Sequence, residues 1–183
     1  MPEATKLLSE WENFYVIVGS SAAALTGLMF VVIALIADAP LPGSTPRSIA
    51  AFTTPTIVHF CAALLASVIL SAPWHVIINA DIALGITGVA GIVYTVVVLN
   101  RARHVTEYKP VAEDWIWHVI LPLAAYLSVA GAAILFRNDV HLALFAVAGA
   151  VVLLIFIGIH NSWDTVTFIV EQRMKRQSKE GSR

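Results

Sequence analysis

The sequence predicts an all-α polytopic membrane protein, a bundle of five transmembrane helices, and three observations lead to that class. Apolar residues make up 58% of the 183 positions, charged residues make up 13%, and the mean hydropathy is +0.81. Soluble domains are usually about 45–50% apolar and about 25% charged. The apolar residues also form five runs, each near the length of about 20 residues that a spanning helix needs. We therefore expect a single membrane domain over residues 1–183.

Polar or helix-breaking segments separate the five expected spans. A loop rich in Pro and Gly, residues 38–47, ends the first run, and the turn from Ala72 to His75 ends the second. Proline lacks a backbone donor and glycine is permissive, so neither segment favours a continuing helix. Charged residues before Trp115 and the turn from Arg137 to Asp139 bound the fourth run. The predicted spans are about 14–37, 49–70, 76–99, 115–136 and 140–161.

The last span is expected to continue into a helical tail, residues 162–180. No Gly or Pro interrupts the chain between His160 and Gly181, and helical spacing places His160, Asp164, Thr167 and Glu171 on one face. With five spans, nine Lys and Arg residues fall on the side of the C-terminus and two on the other. Because cytoplasmic loops carry the excess of basic residues, this count predicts the N-terminus outside and the C-terminus inside.

The second span carries a polar stripe near its middle, with His59 expected close to the membrane midplane. Ionisable groups inside a membrane are costly and often functional, so this stripe is a candidate path for water or protons. The structural alternative is a neutral His59 hydrogen-bonded to a hydroxyl or carbonyl of a neighbouring helix. The stripe comprises Thr53, Thr56, His59 and Ser67.

Two further polar clusters are expected at the ends of the bundle. His118, His160 and Asp164 share the inner end, where they suit a proton relay or a divalent metal, unless His160 and Asp164 simply form an i, i+4 pair. The outer cluster comprises His75, Asn79, Asp81 and His141. There Asp81 is either paired with Arg137 or a carboxylate reached by water.

The sequence offers little evidence for a cofactor or a catalytic site. Two histidine pairs, His118 with His160 and His75 with His141, would suit bis-histidine haem ligation. These possible axial ligands are the only feature of the sequence that indicates haem. Cys61 is the single cysteine, which excludes an intrachain disulfide and a CxxC motif. No phosphate loop, GxSxG or HExxH motif occurs. We therefore expect no cofactor and no enzyme activity, with a divalent metal or haem as the alternatives.

Small residues recur at helical spacing in three spans, and such faces allow helices to approach closely. They are expected to pack within one bundle, or else to build a homo-oligomer. The faces comprise Gly19, Ala23 and Gly27; Gly85, Gly88 and Gly91; and Ala146, Gly149 and Ala150.

The first span and its aromatic lead-in, FYVIVGSSAAALTGLMFVVIALIA over residues 14–37, resemble the start of a group of bacterial inner-membrane proteins. Some of these are described as modulators of a membrane-bound AAA protease. The resemblance implies a multi-pass protein of the bacterial plasma membrane and an accessory role, and it assigns no functional residue.

The leading hypothesis is a path or binding site for a small ion or proton, in a homo-oligomer. Its rival is a non-transporting accessory subunit that binds another membrane protein, and the third is a haem or metal redox protein. The lipid bilayer is the expected environment, and we expect no nucleic-acid partner.

Overall fold

The computed structural model describes residues 2–38, 46–103 and 112–181. Within these ranges the regular secondary structure is all helical, and five helices are long and apolar enough to cross a membrane, which confirms the predicted class. The orientation of the termini stays a prediction. The elements are α1 (Pro2–Asp38), α2 (Pro46–Ser71), α3 (Ile77–Arg103), α4 (Ala112–Trp115), a π-helix π1 (Ile116–Ile120), α5 (Leu121–Leu135) and α6 (Val140–Gly181).

Local chemistry explains where the helices begin and end. Pro46 begins α2, and proline is common at the first helical position because its missing N–H would have no partner there. The indole N–H of Trp74 donates to the carbonyl oxygen of Ile69 near the end of α2. Asp139 precedes α6, and its carboxylate accepts the backbone N–H of Leu142 at 2.9 Å. Asp139 is therefore an N-cap that satisfies one of the free donors at the start of α6.

Helix α6 is continuous from Val140 to Gly181, as the sequence predicts. Its 42 residues rise about 63 Å at 1.5 Å per residue, about twice the thickness of the hydrocarbon core of a bilayer. Helix α1 also begins earlier than its predicted span, at Pro2. Both helices therefore extend beyond the segment needed to cross the membrane.

Four helices form a ring, in which α2 contacts α3, α3 contacts α5, α5 contacts α6 and α6 contacts α2. Helix α1 packs outside the ring against α2 and α6. The Tyr15 hydroxyl donates to the Leu144 carbonyl, and Ser162 donates to the Met29 sulfur, so α1 and α6 run in the same direction. Helices α2 and α5 lie across the ring from each other.

The small-residue faces differ in what they contact. Gly88 packs so closely on α5 that a Cβ atom there would lie 2.5 Å from the backbone nitrogen of Ala130. The face of the third span therefore serves packing within the bundle. On α1, Gly19 approaches Ser67, but Ala23 and Gly27 are exposed. Whether that face also joins two copies stays a prediction.

Candidate functional site

The polar stripe of α2 lies inside the protein. Thr56 is 0% exposed and His59 is 2% exposed, and Thr53 and Ser67 are buried as well. The large exposed apolar side chains instead cover the outside of the bundle, as expected for a surface in contact with lipid. The stripe is therefore turned towards neighbouring helices.

His59 is hydrogen-bonded to Tyr126 across the ring of helices. Its Nδ1 atom lies 2.9 Å from the Tyr126 hydroxyl oxygen, and both side chains are buried. Gly91 of α3 makes room for the tyrosine, because a Cβ atom at position 91 would overlap its ring. Three helices thus fix one polar contact in the centre of the bundle. His59 has the hydroxyl partner on another helix that the structural alternative expects.

His118 lies on the π-helix that leads into α5. Leu121 donates its backbone N–H to the carbonyl of Ile116, five residues earlier, and Pro122 follows without an N–H of its own. Proline disturbs the regular hydrogen-bond pattern of the preceding turn, which accounts for a wider turn here. His118 is half-buried, so it is intermediate in burial between His59 and the surface.

His160 and Asp164 continue this group towards the surface. The Nε2 atom of His160 lies 3.1 Å from the Asp164 carboxylate, which confirms the predicted i, i+4 pair. The His160 ring stacks on Trp117 at a centroid distance of 3.8 Å. The Asp164 side chain is 55% exposed and that of His160 is 25% exposed. We call His59, Tyr126, His118, His160 and Asp164 the His59 cluster. Its members range in burial from His59, 2% exposed, to Asp164, whose side chain is 55% exposed.

Two buried polar atoms beside the His59 cluster have no hydrogen-bond partner. They are Thr56 Oγ1 and Asn161 Oδ1. Thr56 is one turn from Phe60, whose ring contacts Gly158, and Asn161 is one turn from Gly158. Both atoms therefore lie near the contact between α2 and α6. Since most buried polar groups are paired, such exceptions often mark functional positions.

Ser67 does not join this cluster, although the sequence places it on the same stripe. It packs against Gly19 of α1, whereas His59 faces α5. A serine just over two turns away on the same helix therefore lies in a different interface.

The opposite end of the bundle holds the predicted pair between Asp81 and Arg137. The Arg137 Nε atom lies 3.5 Å from the Asp81 carboxylate, and the two side chains are 68% and 7% exposed, respectively. His75, Asn79 and His141 are exposed. We call Asp81 and Arg137 the Asp81 pair.

The described arrangement does not bring the predicted metal ligands together. Within residues 2–38, 46–103 and 112–181, no group of three or more His, Cys, Asp or Glu side chains is placed to hold a metal ion. His118, His160 and Asp164 thus form no ligand set. The Nε2 atom of His160 is engaged with Asp164, so this nitrogen is not free to ligate a haem iron. The haem pairs therefore gain no support.

Tyr126 and Trp117 are the site residues that the sequence-based reasoning missed. Gly91 was predicted to lie on a packing face of the third span, but not to make room for a tyrosine beside His59. The sequence did contain one indication of this site. Trp117 and Tyr126 are nine residues apart with His118 between them, so polar and aromatic groups occur together in this span.

Fold and composition together define a multi-pass helical membrane protein. The chain matches no protein-family model, no curated protein and no solved structure.

Proposed function

We propose that this membrane protein provides a path for protons or another small ion, with His59 and Tyr126 at its centre. The observation that carries the proposal is the buried hydrogen bond between these two side chains in a mainly apolar bundle. Polar and ionisable groups in a membrane interior are rare because they are costly, and they mark proton relays and ion pathways.

The chemistry of the His59 cluster suits stepwise proton transfer. An imidazole can accept a proton at one nitrogen and release one from the other, and a phenol can both donate and accept a hydrogen bond. Asp164 is exposed and would exchange protons with water, followed by His160 and then His118. His59 and Tyr126 would receive the proton at the buried end of the series.

We propose that an apolar layer separates Tyr126 from the Asp81 pair. Fully buried side chains on three helices, Leu84, Val129 and Leu144 among them, support it. A proton cannot cross such a layer without water or a polar group. We therefore propose that the described arrangement is open towards the Asp164 end and closed towards the Arg137 end, and that transport requires a second arrangement.

The positive-inside count supports placing the Asp164 end in the cytoplasm. On this orientation, the path begins at the cytoplasmic surface of a bacterial plasma membrane and is closed towards the outside. A homo-oligomer is part of the proposal, because five helices enclose little space by themselves.

Proton flux into proteoliposomes tests the proposal. We expect wild-type protein to dissipate an imposed pH gradient faster than empty vesicles, and His59→Ala to remove most of that excess rate. His141→Ala is the matched control, because this histidine is exposed at the opposite end and should leave the flux unchanged. If wild type and His59→Ala both run at the empty-vesicle rate, the proposal is wrong.

A second candidate function, a non-transporting accessory subunit, is favoured by the extension of α6. Beyond the predicted span, Trp163, Val166, Val170 and Met174 lie along one stripe of the helix and are exposed. Exposed apolar stripes outside a bilayer often contact a partner protein. Affinity purification in mild detergent distinguishes the two functions: a stoichiometric foreign membrane protein supports the accessory subunit, whereas a symmetric oligomer of this chain supports the path.

A further inference from the structure

A groove of about 290 Å³ lies between α1 and α2, away from the His59 cluster. Its volume is near the lower limit of small-molecule pockets, about 300 Å³. Three of the five residues of α1 that line the groove are small, Gly19, Ser20 and Ala23, which leaves space between the helices. Gly19 lies against Ser67, where an added Cβ atom would be 3.0 Å from the serine Cβ. Val16, Ser20, Ala23 and Val68 are exposed, so the groove opens to the outside of the bundle.

Two serine hydroxyls in the wall of this groove have no hydrogen-bond partner. Ser67 is 1% exposed, and both its Oγ atom and that of Ser71 are hidden from solvent and unpaired. Serine and threonine in helices commonly donate to the carbonyl four residues earlier. Several in this chain do so, including Ser21, Thr95 and Ser162. Ser67 and Ser71 differ from these: each keeps an unused O–H donor, which rotation about the Cα–Cβ bond would turn from its hidden position towards the groove.

The position of the groove along the helices indicates what such a molecule would be. Ser71 is the last residue of α2, and Trp74 follows in the next turn, while Trp11 lies one turn before Tyr15. Tryptophan is enriched where a bilayer meets water. Ser71 is therefore expected near the depth of the glycerol esters of phospholipids, with Ser67 one turn deeper.

We propose that the groove binds one phospholipid of the leaflet nearer the N-terminus of the chain. Its ester carbonyl oxygens accept hydrogen bonds from Ser67 and Ser71, and an acyl chain packs against Ala23 and Leu64. The residues that line the groove carry no charge, so an uncharged carbonyl acceptor fits them better than a phosphate does. This site is independent of the proposed proton path.

The first test compares two lipids by native mass spectrometry of the full chain after delipidation in mild detergent. The probes are dioleoylphosphatidylcholine and its dialkyl ether analogue, which has the same chains but no ester carbonyls. We expect the ester lipid to bind about fivefold more tightly, the gain of about one net hydrogen bond. In Ser67→Ala the preference should fall towards parity, whereas Ser21→Ala, whose hydroxyl bonds within its own helix, should keep it. Equal binding of both lipids by wild type overturns the proposal.

The second test fills the groove from α1. Ala23 and its neighbour Ala24 are both exposed, but only Ala23 lines the groove. We expect Ala23→Leu to weaken binding of both lipids about tenfold or more and Ala24→Leu to leave it unchanged. Equal effects of the two substitutions overturn the proposal. A delipidated wild-type dimer that Ala23→Leu dissociates also overturns it, because the groove would then hold a second copy of the chain.

Discussion

The His59 cluster and the Asp81 pair both place ionisable groups inside an apolar bundle, but they differ in how far they extend. The Asp81 carboxylate is 7% exposed and meets Arg137, whose side chain is 68% exposed. The buried Asp81 carboxylate is therefore one side chain away from the surface. The His59 cluster instead contains titratable groups at several levels of burial, from Asp164, 55% exposed, to His59, 2% exposed.

This difference separates a structural role from a functional one. A buried carboxylate needs an opposite charge or hydrogen bonds, and an arginine whose guanidinium stays in water provides them at modest cost. One partner is enough for stability. The His59 cluster holds more titratable groups than one ion pair needs, and the proposed proton path would give them a role.

The largest expected effect is on the centre of the His59 cluster. Gly91→Ala places a methyl group where the Tyr126 ring lies, so the ring must move and its hydrogen bond with His59 must break. We expect a loss of about 3 kcal/mol in the free energy of unfolding, the upper range for overpacking. The matched control on the same helix is Gly85→Ala, which meets only Ala133, at 3.4 Å, and should cost under about 0.5 kcal/mol. Unfolding in detergent by denaturant measures both, and equal losses would contradict the tyrosine placement.

Breaking the Asp81 pair should reduce stability without changing flux. Arg137→Ala leaves a buried carboxylate without its partner, at a cost of about 2 kcal/mol. Adding Asp81→Asn should recover part of that loss, because the unpaired charge is then removed. The same unfolding assay and the proteoliposome assay give the two readouts. A fall in flux that exceeds the loss of folded protein would place the pair in the path.

Removing only the tyrosine hydroxyl should have a smaller effect on stability and a clear one on flux. Tyr126→Phe leaves His59 Nδ1 unpaired, and we expect a loss of about 1 kcal/mol, in line with single hydrogen bonds in membrane proteins. Tyr15→Phe is the control, since its hydroxyl bonds only to the Leu144 carbonyl. Flux should fall in Tyr126→Phe alone. Similar flux in both variants would remove Tyr126 from the path.

The smallest effect on stability is expected at the surface end of the His59 cluster. Asp164 is 55% exposed, and exposed pairs contribute under about 1 kcal/mol, so Asp164→Asn should change unfolding by less than about 0.5 kcal/mol. Because asparagine cannot exchange a proton, flux should still fall severalfold. Glu171→Gln, in the exposed Glu171 and Lys175 pair one to two turns further along, is the control that should change neither quantity.

The sequence predicted the parts of this protein that depend on local pattern. Continuous apolar runs and breaks at Pro, Gly and Asp indicated the five spans, and the uninterrupted tail indicated one long α6. The pairs of Asp81 with Arg137 and His160 with Asp164 followed from shared depth and i, i+4 spacing. These features need only the period of a helix and the thickness of a bilayer.

The parts that the sequence did not predict depend on how helices rotate and tilt against one another. Tyr126 is a partner of His59 only because α5 lies across the ring from α2 and Gly91 makes room for its ring. The wider turn at π1 also changes which way His118 points relative to a regular helix. Ser67 lies in a different interface from His59 because its part of α2 packs on α1.

The central claim is that the buried centre of the bundle is reached from one end only. Silver-ion protection of a cysteine at position 56 tests this claim most directly. The experiment uses Thr56→Cys in a Cys61→Ser background, since Cys61 is an exposed thiol. Proteolysis of the C-terminal tail reports which way the protein faces in the vesicles. His141→Cys is the control for access from the opposite end. We predict that silver added at the Asp164 end protects the position-56 thiol about tenfold faster or more than silver added at the Arg137 end. Equal protection from both ends, faster protection from the Arg137 end, or none from either would contradict the claim.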